Sequence, residues 1–196
     1  MAARAGLDAA SVIRAAVALV DEAGAEALSL AAIADRVGVK TPSLYKHVAG
    51  LEGVRRGLAL WGIEELTRRL GRAAVGLAGD EALAAIAGAY RAFAHAHPGV
   101  YPFTLRAPAQ DDDAMIAASE ELLAIVRAVL APYGLDQGGA IQAIRAFRSL
   151  LHGFVSLEQA GGFGLPVDLD ESYARLIRLL AGSLRNEGQR PGAWGL

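Results

Sequence analysis

Both lysines of this 196-residue chain stand close together, at positions 40 and 46, and Thr41, Ser43, Tyr45 and His47 stand between and beside them. These six side chains carry the chemistry of phosphate and base-edge recognition. The ammonium groups of Lys40 and Lys46 can neutralise phosphates and release condensed counterions, which gives affinity independent of sequence. Thr41 opens a helix whose free N–H groups would seat a phosphate oxygen. Ser43 and Lys46 have the reach for base edges, lysine being able to contact guanine O6 or N7. Tyr45 offers a hydroxyl to phosphate and a ring to a thymine methyl or a sugar. His47 offers a donor to phosphate or to neighbouring backbone. The surrounding charge agrees with this reading: residues 1–60 hold seven basic and six acidic side chains, whereas the whole chain carries a net charge of −2. A locally basic segment on an acidic body fits a head that reads nucleic acid.

The elements that must position these residues follow from capping signals and apolar spacing. Hydrophobic residues make up 54% of the chain, largely Ala and Leu, and period-2 alternation is missing, so an all-α fold is expected. Asp8 caps a first helix with Val12, Ala16, Leu19, Val20 and Ala23 inward, and Gly24 stops it in a left-handed conformation. Ser29 caps a second, short helix with Leu30, Ile33, Ala34 and Val37 on one face, ended by Gly38. Thr41-Pro42 starts a third, over about Pro42 to His47, with Leu44 and Val48 inward. Two short helices joined by a tight glycine turn form a helix-turn-helix.

Beyond the head, a fourth helix is expected from near Leu51 to about Leu77 and a fifth from Asp80 to about His97, broken by Pro98-Gly99. A short helical segment follows near Tyr101 to Arg106. Longer helices run from the Asp111–Asp113 cluster to Ala131, from about Gln137 to Ala160, and from Leu169 to Asn186. This makes about nine helices: a three-helix DNA-binding head over 1–50, a helical-bundle domain over 51–186, and a disordered tail over 187–196.

Several functions are disfavoured. The chain has no Cys, hence neither a disulfide framework nor a thiolate metal site. No GxSxG elbow, HExxH or phosphate-cradling glycine loop is present, so an enzyme is not expected, and no cofactor or metal is called for. His95 and His97, two apart, point to different sides of a helix. Acidic residues at 111–113 suit a helix N-terminus without any cation. No run of about 18 apolar residues spans a membrane, and the N-terminus lacks the pattern of a secretion signal, which makes a cytoplasmic protein the expectation.

The stretch LSLAAIADRVGVKTPSLYKHVAGLEGV, with its Leu44-Tyr45-x-His47 centre, resembles the DNA-binding domain of the tetracycline-repressor-like (TetR-type) regulators over about residues 8–60. It departs from the family pattern at Val48, where many members have Phe, and at Leu51, where many have a phosphate-contacting Lys. Leu151-His152-Gly153 with the following GGFGLPVDLDESYARLI is similar to a C-terminal domain named for a Trp-His-Gly signature, with Leu151 in place of the Trp. The resemblance implies a homodimeric regulator, with double-stranded operator DNA and a small-molecule effector as partners. Repression of a palindromic operator, relieved by the effector, is the family's usual mode. It also implies an effector pocket among the later helices, for which Trp61, Tyr90, Phe93, Tyr101, Phe103, Met115, Phe147 and His152 are the candidates. The two-fold interface would use the last two helices, with Phe154, Leu157, Leu176 and Leu180. The competing reading is a dimeric helical small-molecule-binding protein that no longer binds an operator.

Overall fold

The structure, a computed structural model, describes residues 7–188. Among these residues it is wholly helical, with eight α-helices and three 3₁₀ turns. The α-helices are α1 (Ala9–Ala23), α2 (Leu30–Val37), α3 (Thr41–Leu44), α4 (Gly50–Ala74), α5 (Gly79–Ala96), α6 (Asp113–Leu130), α7 (Gln137–Gln159) and α8 (Leu169–Gly188). The 3₁₀ turns are Ala25–Ala27, Tyr101–Leu105 and Ala131–Tyr133. The chain divides into two compact units, one running to Glu65 together with Ala96–Ser119, the other comprising Leu66–His95 and the chain from Glu120 onward.

In the first unit, local rules act as the sequence suggests. The Asp8 carboxylate accepts from Ser11 N at 2.7 Å while Ser11 Oγ accepts from Asp8 N at 3.0 Å, a reciprocal cap that satisfies two otherwise orphaned donors. Val12, Ala16, Val17 and Val20 then fall on one buried face. Ser29 Oγ accepts from Ala32 N at 3.1 Å, and Gly38 ends α2 in the left-handed region (φ 72°, ψ 36°). Two details differ from expectation. Gly24 has φ 83° but ψ 163°, an extended mirror-image conformation and not a left-handed cap, and it leads into the unanticipated 3₁₀ turn. The segment near Tyr101 is 3₁₀ and not α-helical. The core of this unit joins Val12, Val20, Ile33, Leu44, Val54, Leu58 and Val100, all fully buried.

In the second unit, α4 stops at Ala74, short of Leu77, and Gly76 and Gly79 both take positive φ. The α5 stripe Leu83, Ile86, Ala87, Tyr90 and Phe93 is buried. So are Phe147, Leu151, Phe154 and Val155 of α7, and Tyr173, Ile177, Leu180 and Leu184 of α8. Tyr173 Oη donates to the Ala87 carbonyl at 2.8 Å, so its hydroxyl is answered inside the core. Arg91 donates Nε and an Nη to Glu158 and its other Nη to Asp170 at 2.7 Å, joining α5, α7 and α8. The α8 helix extends through Gly188, two residues into the expected disordered tail; the rest of that tail, 189–196, lies outside the described residues.

Candidate nucleic-acid interface

The helix-turn-helix is held from beneath. Leu44 has no exposed surface, Val48 packs against the same core, and Ile33 and Ala34 present the inner face of α2. Val39 N donates to the Ala34 carbonyl at 3.0 Å and Ser43 N to the Lys40 carbonyl at 2.8 Å, which fixes the turn. With Leu44 anchored, Tyr45 is 62% exposed and Lys40 and Lys46 project to solvent, while Thr41, Ser43 and His47 are half-buried. All six side chains expected to meet DNA thus lie on or beside one four-residue helix and the turn after it.

Two expectations about α3 need correction. The helix is Thr41–Leu44, and residues 45–47 form a turn whose amides still point back, His47 N donating to the Leu44 carbonyl at 2.8 Å. Its N-cap is Lys40, and no side chain caps it, so the Thr41 hydroxyl does not play that part. Four residues align too few peptide dipoles for a helix-terminal phosphate seat. The positive charge on this surface therefore comes from the exposed lysine side chains. Leu51 is half-buried and packs on the head core, so its apolar character has a packing reason.

Contacts that no local pattern signalled brace this surface. Arg36 donates to both oxygens of Glu22, one at 2.8 Å, clamping α2 onto α1. The Arg36 hydrogen bond holds the Glu22 carboxyl below the usual range. Asp21, on the last turn of α1, accepts from Gly99 N at 3.1 Å and Val100 N at 3.2 Å, and pairs with His97 Nδ1 at 2.7 Å. A Cβ on Gly99 would lie 1.9 Å from the Val20 carbonyl oxygen, so the close approach of two backbones requires glycine. Pro98-Gly99, read from the sequence as a helix breaker, is also a docking point on α1. The His97 ring meets Trp61 edge-on, centroids 5.0 Å apart.

The eight candidate effector residues divide evenly between the units. In the first, Tyr101 and Met115 are buried and Trp61 and Phe103 are half-buried. In the second, Tyr90, Phe93 and Phe147 are buried, and half-buried His152 lies 3.2 Å from Ser156 Oγ through Nδ1. Of the residues expected at a two-fold interface, Phe154 and Leu180 belong to the core of their own unit, Leu176 is half-buried, and Leu157 is 52% exposed. Leu179, on the same helix as Leu176 and Leu180, is 65% exposed. Among the described residues no group of three or more His, Cys, Asp or Glu is arranged to hold a metal, and no helix is long and apolar enough to cross a membrane.

Comparison with known proteins agrees with this arrangement. Residues 12–47 match the family described as bacterial regulatory proteins, tetR family, and residues 83–180 match the tetracyclin repressor-like C-terminal domain. An HTH-type transcriptional regulator of Mycobacterium tuberculosis is 40% identical over 177 residues, covering 89% of this chain and 81% of the relative. The regulator YobS of Bacillus subtilis is 34% identical, covering 95% and 97%. Among solved structures, a TetR variant from Acinetobacter baumannii in complex with minocycline superposes with a TM-score of 0.72 at 21% identity, over 94% of this chain and 100% of that one. With its helix-turn-helix, its helical C-terminal domain and relatives matched over most of their length, this chain belongs to the TetR family of helix-turn-helix transcriptional regulators.

Proposed function

We propose that the protein is a dimeric repressor that binds a palindromic operator through Lys40, Thr41, Ser43, Tyr45, Lys46 and His47, and leaves it when a small molecule occupies its helical domain. The observation that carries the reading is the pairing of fully buried Leu44 with exposed Tyr45 and Lys46 on adjacent positions. A rigid anchor beneath and a cationic, hydroxyl-bearing edge above is the arrangement a major-groove reader needs. A two-fold dimer would place two such edges on half-sites about one helical turn or more apart. Ligand binding releases DNA only through unequal affinity for two conformations, which calls for about 1–3 kcal/mol of coupling. Such a regulator acts in the cytoplasm, where its operator is.

Fluorescence-anisotropy titration against DNA flanking the gene, at several salt concentrations, tests the operator half of the proposal. Saturable binding to one fragment is expected, with log K falling by about 0.9 per phosphate contact for each unit of log salt. No preference for any fragment at low salt would overturn it and favour a helical small-molecule-binding protein without operator binding.

A further inference from the structure

Within the first unit lies a cavity of about 580 Å³, lined by residues of two 3₁₀ turns, of α4 and α6 and of the chain leading into α6, including apolar Pro102, Phe103 and Met115. That size falls in the range of small-molecule sites. Arg55, Arg56 and Arg106 also reach it, as do Glu26, Glu52 and Asp112.

Two of the three carboxylates are already engaged. Arg56 donates Nε and an Nη to the two oxygens of Asp112, both at 2.6 Å. Asp112 Oδ1 also accepts from Met115 N at 3.1 Å, capping α6. Arg55 donates to Glu52 at 2.6 Å. The donors are far from exhausted. A guanidinium carries five N–H groups and no acceptor; the two ion pairs occupy one on Arg55 and two on Arg56. Arg106 is exposed and has no ion-pair partner among the described residues. Glu26 is the opposing group, a carboxylate without an ion pair among those residues. Unused donors therefore outnumber unused acceptors, and they sit beside an aromatic ring and a thioether.

We propose that this cavity binds an organic carboxylate with an apolar body, the carboxylate held by Arg106 and the body packed on Phe103 and Met115. A planar guanidinium fork matches a carboxylate in a bidentate pair. Glu26 opposes the ligand's charge and selects against dianions. The assignment names a ligand class for the effector reading, and it rests on that reading only for what binding does to DNA.

Met115 supplies the test, because the chain has only two methionines. With methyl-¹³C-methionine label, the full-length protein is titrated with 4-phenylbutyrate, and in parallel with 4-phenylbutanol, 4-phenylbutylamine and inorganic phosphate. The expected result is a saturable shift of the Met115 methyl resonance with the acid alone. Arg106→Ala and Arg106→Gln, both at an exposed position and checked for native circular dichroism, should weaken binding at least fivefold, and Glu26→Gln should leave it equal or tighter. Several outcomes would overturn the site: no saturable shift, an acid affinity unchanged in both Arg106 variants, or an equal response to phosphate. So would tighter binding of the amine that is lost in Glu26→Gln. Operator anisotropy with and without the acid separates the two proposals. Acid binding without any change in DNA affinity upholds the site and removes its effector role, whereas specific operator binding by a protein that ignores the acid removes the site and leaves the regulator.

Discussion

Gly99 and Tyr45 mark two kinds of residue in the head, one at a close approach of two backbones and the other on the exposed edge proposed to meet DNA. At Gly99 the obstructing atom is a backbone carbonyl 1.9 Å from any added Cβ, which cannot swing aside as a side-chain tip would. Gly99→Ala should therefore cost about 1–3 kcal/mol, the range for overpacking a tight site. That corresponds to roughly 2–4 °C of melting temperature per kcal/mol in a chain of this size, read by thermal denaturation; an unshifted melt would mean the 97–100 loop can lift from α1. Tyr45→Ala combined with Lys46→Ala predicts the reverse pattern. Both side chains are exposed, so stability should stay within about 0.5 kcal/mol while operator affinity falls by an order of magnitude or more. A double variant that binds operator normally would show that the exposed edge of α3 is not the reading surface. The exposed edge to which the proposed contacts belong was legible in the sequence because charge, hydroxyls and the Leu44-Tyr45-x-His47 spacing lie in one short stretch. The Asp21–Gly99 docking was not, because its partners are 78 residues apart and neither residue type announces the other.

Among the elements, helix ends were read correctly at three local caps, though not at Gly24 or Thr41. Asp8, Ser29 and Gly38 act through neighbours three or four positions away, and propensity rules describe that range. The length of α3 was overestimated for a physical reason: Leu44 and Val48 keep helical spacing, yet Val48 N and His47 N both converge on the Leu44 carbonyl, and the backbone leaves the helix while the apolar spacing continues. What joins the second unit was equally hidden, since Arg91 reaches Glu158 and Asp170 across 67 and 79 residues. This network makes a pH prediction. The Arg91 hydrogen bonds, with a smaller contribution from His95, hold the Glu158 carboxyl below its ordinary 4.5 in spite of partial burial. A depressed acid stabilises the fold fully above the ordinary value, and that contribution is lost as pH falls through the lowered folded value. Stability measured by denaturant titration should therefore decline below about pH 4.5, and Glu158→Gln should flatten the part of that decline due to this group. Arg91→Ala leaves the half-buried carboxylate without its main partner and should cost about 2–3 kcal/mol at neutral pH. If the pH profile of Glu158→Gln matches that of the natural chain, the pair is geometrically present but energetically idle.

For the whole molecule, the proposed operator reading requires two heads, and exposed leucines of the second unit are the candidates for joining them. Two of the residues expected at a two-fold interface, Phe154 and Leu180, turn inward in their own unit, because they are as apolar as their neighbours and only packing distinguishes inner from outer. Phe154 stacks on Phe163 and Tyr173, centroids 4.8 and 4.9 Å apart, and Leu180 is 7% exposed; both serve their own protomer. Leu157 on α7 and Leu179 on α8, at 52% and 65% exposure, are the residues a second copy could cover, and an isologous contact would bury each twice. Leu157→Glu with Leu179→Glu places charges on that face without opening a cavity, so far-UV circular dichroism should be unchanged. Light scattering should then report a monomer, against the dimer expected of the natural chain. Operator affinity should fall by about a hundredfold or more, because the second half-site is no longer engaged at high effective concentration, while binding to an isolated half-site should hardly change. A variant that remains dimeric would move the interface to another face, and a natural chain that is monomeric at micromolar concentration would remove the two-headed operator model itself.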